Sequence, residues 1–175
     1  MRVSIFDDMS QCTESDVARL LPVVNQQRRE QALRYKHLFG QWACLKSWEM
    51  LGIDKEWQYN EYGKPFIAGG PEFSISHCKN GIAVATDTQP IGIDIESIRH
   101  ADEALVARTM NDEERKRIHS DADFIRLWTR KEAYLKYLGT GIIDDLHHVL
   151  DNTKCVLFET IETERYIYTI CYEKV

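Results

Sequence analysis

Two short stretches of this 175-residue chain carry side chains that could do chemistry together. In Ile91-Gly92-Ile93-Asp94-Ile95-Glu96, strict alternation predicts a strand, with successive side chains on opposite faces. Ile91, Ile93 and Ile95 then enter the core, and Gly92, Asp94 and Glu96 share the other face. Two carboxylates at i and i+2 on one face repel each other unless a cation lies between them. Such hard oxygen donors suit Mg²⁺, which takes one or two carboxylates plus phosphate oxygens and water. Gly92 on the same face is expected to leave room for a ligand. The plainer alternative is an exposed acidic strand face, although acidic residues are depleted in strands.

The second stretch runs from Leu127 to Gly139, the later part of a helix expected to begin near Asp123. Good helix formers dominate it. Phe124, Leu127, Trp128, Leu135 and Leu138 recur at three- and four-residue steps and so define one apolar face. Gly139 stands where a left-handed cap would end the helix. Glu132 and Lys136 lie one turn apart beside the Trp128 face, where one could bind a metal and the other an anion. A solvent-exposed Glu–Lys pair, worth a few tenths of a kcal/mol, is the bland alternative. Adding Glu132 to Asp94 and Glu96 makes three carboxylates beside one lysine. That set favours phosphoryl-transfer chemistry, in which positioning and charge neutralisation supply most of the catalysis.

These groups need elements to hold them. Val3–Phe6 opens the chain as a strand, and helices are expected at Glu14–Leu20, before Pro22, and at Gln26–Tyr35, which carries Arg28, Arg29 and Arg34. After a break at Phe39-Gly40, Gln41–Leu51 reads as an amphipathic helix with Trp42, Leu45, Trp48 and Leu51 inward. Trp57–Tyr59 is a brief strand, and the segment from Asn60 to Gly70 holds turn formers around Tyr62-Gly63-Lys64-Pro65. Strands follow at Phe73–Ser76 and Gly81–Thr86. Ala101–Met110 and Glu113–His119 are helical, with Asn111 or Asp112 as a cap. The tail reads as a three-strand meander: His147–Leu150, Cys155–Ile161 and Tyr166–Tyr172. Strands and helices in both halves give an α+β class.

Composition narrows the setting. Hydrophobic residues make up 43% of the chain, enough for a core. A net charge of −6 argues against a dedicated nucleic-acid binder. The five cysteines are scattered without CxxC spacing, which argues against structural zinc or a disulfide framework and suits a reducing, cytoplasmic setting. No signal peptide is expected, and no apolar run is long enough to span a bilayer, so no membrane partner is expected.

Two weaker pieces complete the pattern: Gly63-Lys64-Pro65, a rigid turn with an exposed lysine, and Ser76-His77 at the end of a strand. In order along the chain, Tyr62–Pro65, Phe73–His77, Ile91–Glu96 and Trp128–Lys136 resemble the motifs of the Sfp-type 4′-phosphopantetheinyl transferases. The likeness is clear from about residue 61 to 136 and fainter from 28 to 51. It implies transfer of 4′-phosphopantetheine from coenzyme A to a serine of an apo carrier protein, releasing adenosine 3′,5′-bisphosphate. It also implies a pseudo-symmetric pair of similar α/β halves, residues 1–70 and 71–175, joined near Gly69–Glu72 with the active site between them, and by analogy a monomer.

Carried over residue by residue, the resemblance makes Asp94, Glu96 and Glu132 ligands of Mg²⁺, and Lys136 a contact of the pyrophosphate. Ser76 and His77 become coenzyme A contacts, with the histidine near the 3′-phosphate. Gly63, Lys64 and Pro65 lie beside the adenine and its phosphates, and Arg28 meets the 3′-phosphate. The chain departs from the family at Gln31, where a second basic residue is often found, and in a short segment between Arg34 and Leu38. Its C-terminal part is also short. Glu132 or a water held by the metal is the candidate base for the serine proton. Carrier proteins are acidic around that serine, so Arg108, Arg115, Lys116 and Arg117 are docking candidates. Two rivals remain: a metal-dependent nuclease, and a non-catalytic module that binds coenzyme A or a nucleotide.

Overall fold

In a computed structural model that describes residues 1–53, 55–141 and 145–174, both periodicities are realised as an α+β fold. The chain forms β1 (Arg2–Phe6), α1 (Glu14–Leu20), α2 (Gln26–Leu33), α3 (Leu38–Leu51), β2 (Gln58–Tyr59) and β3 (Pro65–Phe66). It continues with β4 (Glu72–Cys78), β5 (Gly81–Asp87), β6 (Ile91–Ser97), α4 (Glu103–Thr109), α5 (Asp112–Arg115), α6 (Asp121–Leu138), β7 (Val156–Glu162) and β8 (Tyr166–Glu173).

The larger strands form two antiparallel three-stranded sheets, ordered β1-β5-β4 and β6-β8-β7. Each sheet uses the same path: a strand, then helices, then a hairpin whose last strand takes the centre. The sheets meet along β4 and β6. There Ser74 Oγ accepts the Ile93 N–H at 3.0 Å, and Ser76 Oγ accepts the Ile95 N–H at 3.3 Å. Two serine hydroxyls thus replace part of a missing ladder, and donors at the buried edge of β6 find acceptors. The expected division at residue 70 is crossed by strand pairing, since β1 runs beside β5 with Val3 opposite Ala85 and Ile5 opposite Ala83.

One core lies under α3, where Trp42, Leu45, Trp48 and Leu51 are buried with Leu20, Phe73 and Ile82. A second lies between the sheets, where Ile91, Ile93 and Ile95 pack with Ala83, Ala85 and Ile170. The opposite face of β6 and β8 is covered by α6. Ser120 caps that helix by accepting the Asp123 N–H, and Gly139 closes it at φ 73°.

Several boundaries differ from the sequence pattern. No break falls at Phe39-Gly40, and α3 begins at Leu38. A side chain at position 40 would meet the Tyr35 ring at 2.7 Å, so Gly40 serves packing within a continuous helix. The expected strand His147–Leu150 is a turn. Carbonyls at its start are taken by side chains: Lys131 Nζ donates to Leu146 O, just before it, at 2.7 Å and Asn111 Nδ2 to His147 O at 3.0 Å. Helix α5 is a single turn, shorter than Glu113–His119, and α2 ends at Leu33. On α6, Leu138 is exposed, while Ile125, Thr129, Lys131 and Ala133 are buried. The helix lies on two strands and so buries a wider arc than one apolar stripe predicts.

Candidate active site

The site is built where α6 crosses β6. A Cβ at position 92 would lie 1.9 Å from the Ala133 carbonyl oxygen and 2.5 Å from the Tyr137 nitrogen. Only glycine allows this approach. The room beside Gly92 is therefore filled by the helix backbone, which corrects the expectation that a ligand occupies it. The close crossing brings Glu132 and Lys136, on either side of Ala133, to the Asp94 face of the strand.

Asp94 is buried at 3% exposure. Its Oδ1 accepts from Lys136 Nζ at 2.7 Å and from Ser76 Oγ at 2.8 Å. Lys136 Nζ also donates to Ser76 Oγ at 2.9 Å, so these three residues form a closed triangle. Asp94 Oδ2 and Glu132 Oε1 are buried without a hydrogen-bond partner. Burial, and next the Asp94 charge, push the Glu132 carboxyl up to about 7. Glu96 is raised too, chiefly by burial and then by Asp94, against a hydrogen bond from Trp128 Nε1 at 3.3 Å. Like charges held together out of water disfavour ionisation unless a cation is added.

Whether these residues suit Mg²⁺ can be judged from this chemistry. Among the described residues, no three His, Cys, Asp or Glu side chains are assembled as a ready metal cluster. Asp94 instead holds the Lys136 ammonium. The donor set still fits. It offers hard carboxylate oxygens, two of them buried and unpartnered, and two carboxyl groups that burial and their acidic neighbours hold above the usual range.

Beside the carboxylates lies a cavity of about 200 Å³, lined by Tyr62, Lys64, Phe73, Ile75, Leu135 and Lys136 among others. Gly63 (φ 86°) and Pro65 belong to the same wall. Lys64 reaches across toward the Ile91 carbonyl at 3.5 Å, and burial lowers its ammonium below the ordinary range. Ser76 belongs to the Asp94 triangle. His77, the next residue on β4, packs edge-to-face on Phe39 with centroids 5.8 Å apart. Loss of solvent, and next the Lys136 charge, hold its imidazolium below the usual range.

Arg28 lies on α2. It is buried in the first core, with its guanidinium 4.4 Å from the Trp48 ring centre and Nη2 donating to Lys55 O at 2.9 Å. Of the docking candidates, Arg108 and Arg117 are exposed, and Lys116 pairs with Glu113 at 2.6 Å on the surface. Arg115 is already employed: it donates to Met110 O at 3.0 Å and Ala107 O at 2.6 Å, holding the end of α4. A groove of about 840 Å³ between α4, α5 and the start of α6 includes Arg115, Val106, Ile118 and Phe124.

Two residues matter here that the motifs do not single out. Lys131 is fully buried. Its ammonium donates to Glu114 Oε2 at 2.7 Å, Thr109 O at 2.8 Å and Leu146 O at 2.7 Å, pinning α6 to α4, α5 and the following turn. Nothing in the sequence pattern marks it, since a lysine beside Glu132 reads as surface charge. Asn60 was legible in principle, because Asn-Glu-Tyr-Gly is the pattern of a side-chain-closed turn.

Residues 90–173, from β6 to the end of β8, match a family described as the 4′-phosphopantetheinyl transferase superfamily. The 4′-phosphopantetheinyl transferase gsp of Aneurinibacillus migulanus is 34% identical over 118 residues, covering 62% of this chain and 50% of the relative. A 4′-phosphopantetheinyl transferase of Bacillus subtilis is 30% identical over 71% of this chain and 64% of the relative. The transferase Sfp of Bacillus subtilis strain 168 is 28% identical over 74% and 66%. The matched chain spans about half to two thirds of the length of these relatives. The chain is thus similar to the Sfp-type 4′-phosphopantetheinyl transferases over much of its length, as its motifs imply.

Proposed function

We propose that this protein is an enzyme, a holo-[acyl-carrier-protein] synthase. In this reading it moves 4′-phosphopantetheine from coenzyme A to a serine of an apo acyl or peptidyl carrier protein, releasing adenosine 3′,5′-bisphosphate. The observation that carries the reading is the placement of Asp94, Glu132 and Lys136 at one crossing of β6 and α6, beside a cavity walled by Lys64. The relatives described above are each named a 4′-phosphopantetheinyl transferase.

Asp94, Glu96 and Glu132 would hold Mg²⁺, which when bound neutralises pyrophosphate charge. The chain's own residues supply the rest. Lys136, on a flexible stem and 29% exposed, turns from Asp94 toward the phosphate and meets the charge that develops on the leaving nucleotide. Lys64, in the same cavity wall as Gly63 and Pro65, meets the nucleotide, and Ser76 fixes the orientation of Asp94. Glu132, one turn from Lys136 at this crossing, is a candidate to accept the serine proton, the alternative being a water that the metal would hold. His77 lies on the neighbouring strand within reach of the Lys136 field and is assigned to the 3′-phosphate.

The repeated strand order β1-β5-β4 and β6-β8-β7 supports a pseudo-symmetric pair of halves. We place their junction in the connection between β5 and β6, in place of Gly69–Glu72. No helix among the described residues is long and apolar enough to cross a membrane, and we propose cytoplasmic action as a monomer.

Mass spectrometry of an apo carrier protein after incubation with the protein, coenzyme A and Mg²⁺ tests the function. The expected product is carrier plus one phosphopantetheine on serine. Absence of the adduct across fatty-acid, polyketide and peptide carriers, with binding of coenzyme A intact, would favour a non-catalytic binding module.

A further inference from the structure

We infer that Asn60 is a positioning residue, one that sets the nucleotide cavity by fastening its Tyr62–Pro65 wall to the end of α6. This rests on the transferase reading, in which that cavity takes the nucleotide part of coenzyme A.

Every polar group of Asn60 is engaged. Its Oδ1 accepts the N–H groups of Tyr62 at 3.0 Å and Lys64 at 2.8 Å. Its backbone carbonyl accepts the Gly63 N–H at 3.0 Å, and its backbone N–H donates to Lys64 O at 3.0 Å. One side-chain oxygen therefore fixes the tight turn that presents Lys64. The other side-chain atom reaches out of the turn: Nδ2 donates to Gly139 O at 2.8 Å, 79 residues away in sequence.

Gly139 is the left-handed cap of α6, and helix C-terminal carbonyls lack partners within the helix. Asn60 covers the carbonyl of the cap itself. Two consequences follow for an anion in the cavity. The carbonyl of Gly139, a residue of the cavity wall, is occupied by a donor and is not left free beside an anion. The turn carrying Lys64 is also fastened to the end of α6, the helix that carries Lys136, and both lysines line one cavity. Packing at the joint is close: a Cβ at position 139 would meet Asn60 Nδ2 and the Lys64 side chain, each at 3.1 Å. Asn60 is absent from the residues lining the cavity, so it acts through the wall it holds.

The test compares wild type with Asn60→Ala and Asn60→Asp. Asn60→Asp retains an oxygen for the Tyr62 and Lys64 N–H groups but sets a carboxylate against the Gly139 carbonyl, so it breaks the fastening and keeps the turn. Calorimetric titration with adenosine 3′,5′-bisphosphate should show about tenfold weaker binding for both variants, as expected for one lost, partly buried hydrogen bond and a wall set free. KM for coenzyme A should rise by a similar factor, with kcat within about threefold of wild type. Both variants are checked by thermal melting. Unchanged binding in a folded Asn60→Asp overturns the inference. So does a fall in kcat with KM unchanged. Wild type that takes neither coenzyme A nor the bisphosphate overturns the transferase reading, and this inference with it; wild type that binds while the variants bind equally well overturns this inference alone.

Discussion

Gly92 on β6 lies directly under the Ala133 carbonyl of α6, so close that a single added methyl carbon would fall 1.9 Å from that oxygen. This contact sets the depth at which the helix crosses the strand. The obstacle is backbone on both sides, Ala133 O and Tyr137 N, so no side-chain rotation can relieve it. Gly92→Ala must lift α6 from β6 and separate Glu132 and Lys136 from Asp94. The expected cost is about 2–4 kcal/mol in urea unfolding, in the range of strained or overpacked cores. Residual folded protein should show carrier modification reduced at least a hundredfold. A Gly92→Ala protein with wild-type stability and activity would show that the close crossing is not required.

Glu132 gives a pH signature. Its carboxyl is raised from an ordinary 4.5 to about 7, first by burial and then by the Asp94 charge. A raised carboxyl binds its proton more tightly in the folded state. Its contribution to stability is thus complete below about pH 4.5 and is lost as pH rises through 7. Allowing for solvent screening of a half-buried group, the loss is on the order of 1–2 kcal/mol. Glu132→Gln cannot ionise. Its stability relative to wild type should therefore rise between pH 5 and pH 8, with Mg²⁺ withheld, when urea midpoints are compared. Added Mg²⁺ should stabilise wild type more at pH 8 than at pH 5.5, and Glu132→Gln little at either. Parallel pH curves for the two proteins would count against a raised Glu132.

Asp94 joins the strand to Lys136 and Ser76 and is expected to hold the cation as well. Asp94→Asn preserves the size of the side chain and an oxygen for Ser76, so the fold should persist. Turnover should fall by about a hundredfold or more, with the Mg²⁺ requirement shifted to higher concentration, the scale expected when an electrostatic partner of the reacting charge is removed. Titration of holo-carrier formation against Mg²⁺ reads both. Unaltered Mg²⁺ dependence would remove Asp94 from the metal site.

Lys131 holds α6 from its far side. Its ammonium has three partners and no exposure, and Glu114 uses the same Oε2 to accept the Asn111 N–H in a capping box. Removing one partner of a buried pair leaves the other charged and unpaired, typically costing 3–5 kcal/mol. Lys131→Met should lose about that much, and Lys131→Met combined with Glu114→Gln should recover part of it. Additive losses in a denaturation double-mutant cycle would show that the two residues act independently.

The main elements were legible because their signals are local. Alternation in Ile91–Glu96 places three isoleucines inward, and they are fully buried. Helix α1 spans Glu14–Leu20 as the pattern predicts, and Gly139 caps α6. What escaped was decided by distant partners. The turn at His147–Leu150 has strand-like composition, but its neighbours' claims on backbone carbonyls come from Lys131 and Asn111, far off in sequence. Gly92 reads as space for a ligand until the helix backbone is seen to fill it. The motifs located the carboxylates and Lys136, whereas the residues that hold their supports, Asn60 and Lys131, carry no pattern that depends on chemistry at the site.

The basic segment before α6 separates into structural and free charges, which sharpens the docking prediction. Arg115 donates to two carbonyls at the end of α4, while Arg117 is exposed beside it with no ion pair among the described residues. Arg115→Glu should therefore lower the melting temperature by several degrees as well as weaken carrier binding, and its kinetics alone cannot identify a docking role. Arg117→Glu is the clean variant. An exposed charge at an interface rim acts chiefly on association and its salt dependence. The expected result is a carrier KM raised about three- to tenfold, with kcat, coenzyme A KM and melting temperature unchanged, and with the difference from wild type shrinking at high salt. A carrier KM untouched by Arg117→Glu and by Arg108→Glu would move the docking surface away from this segment.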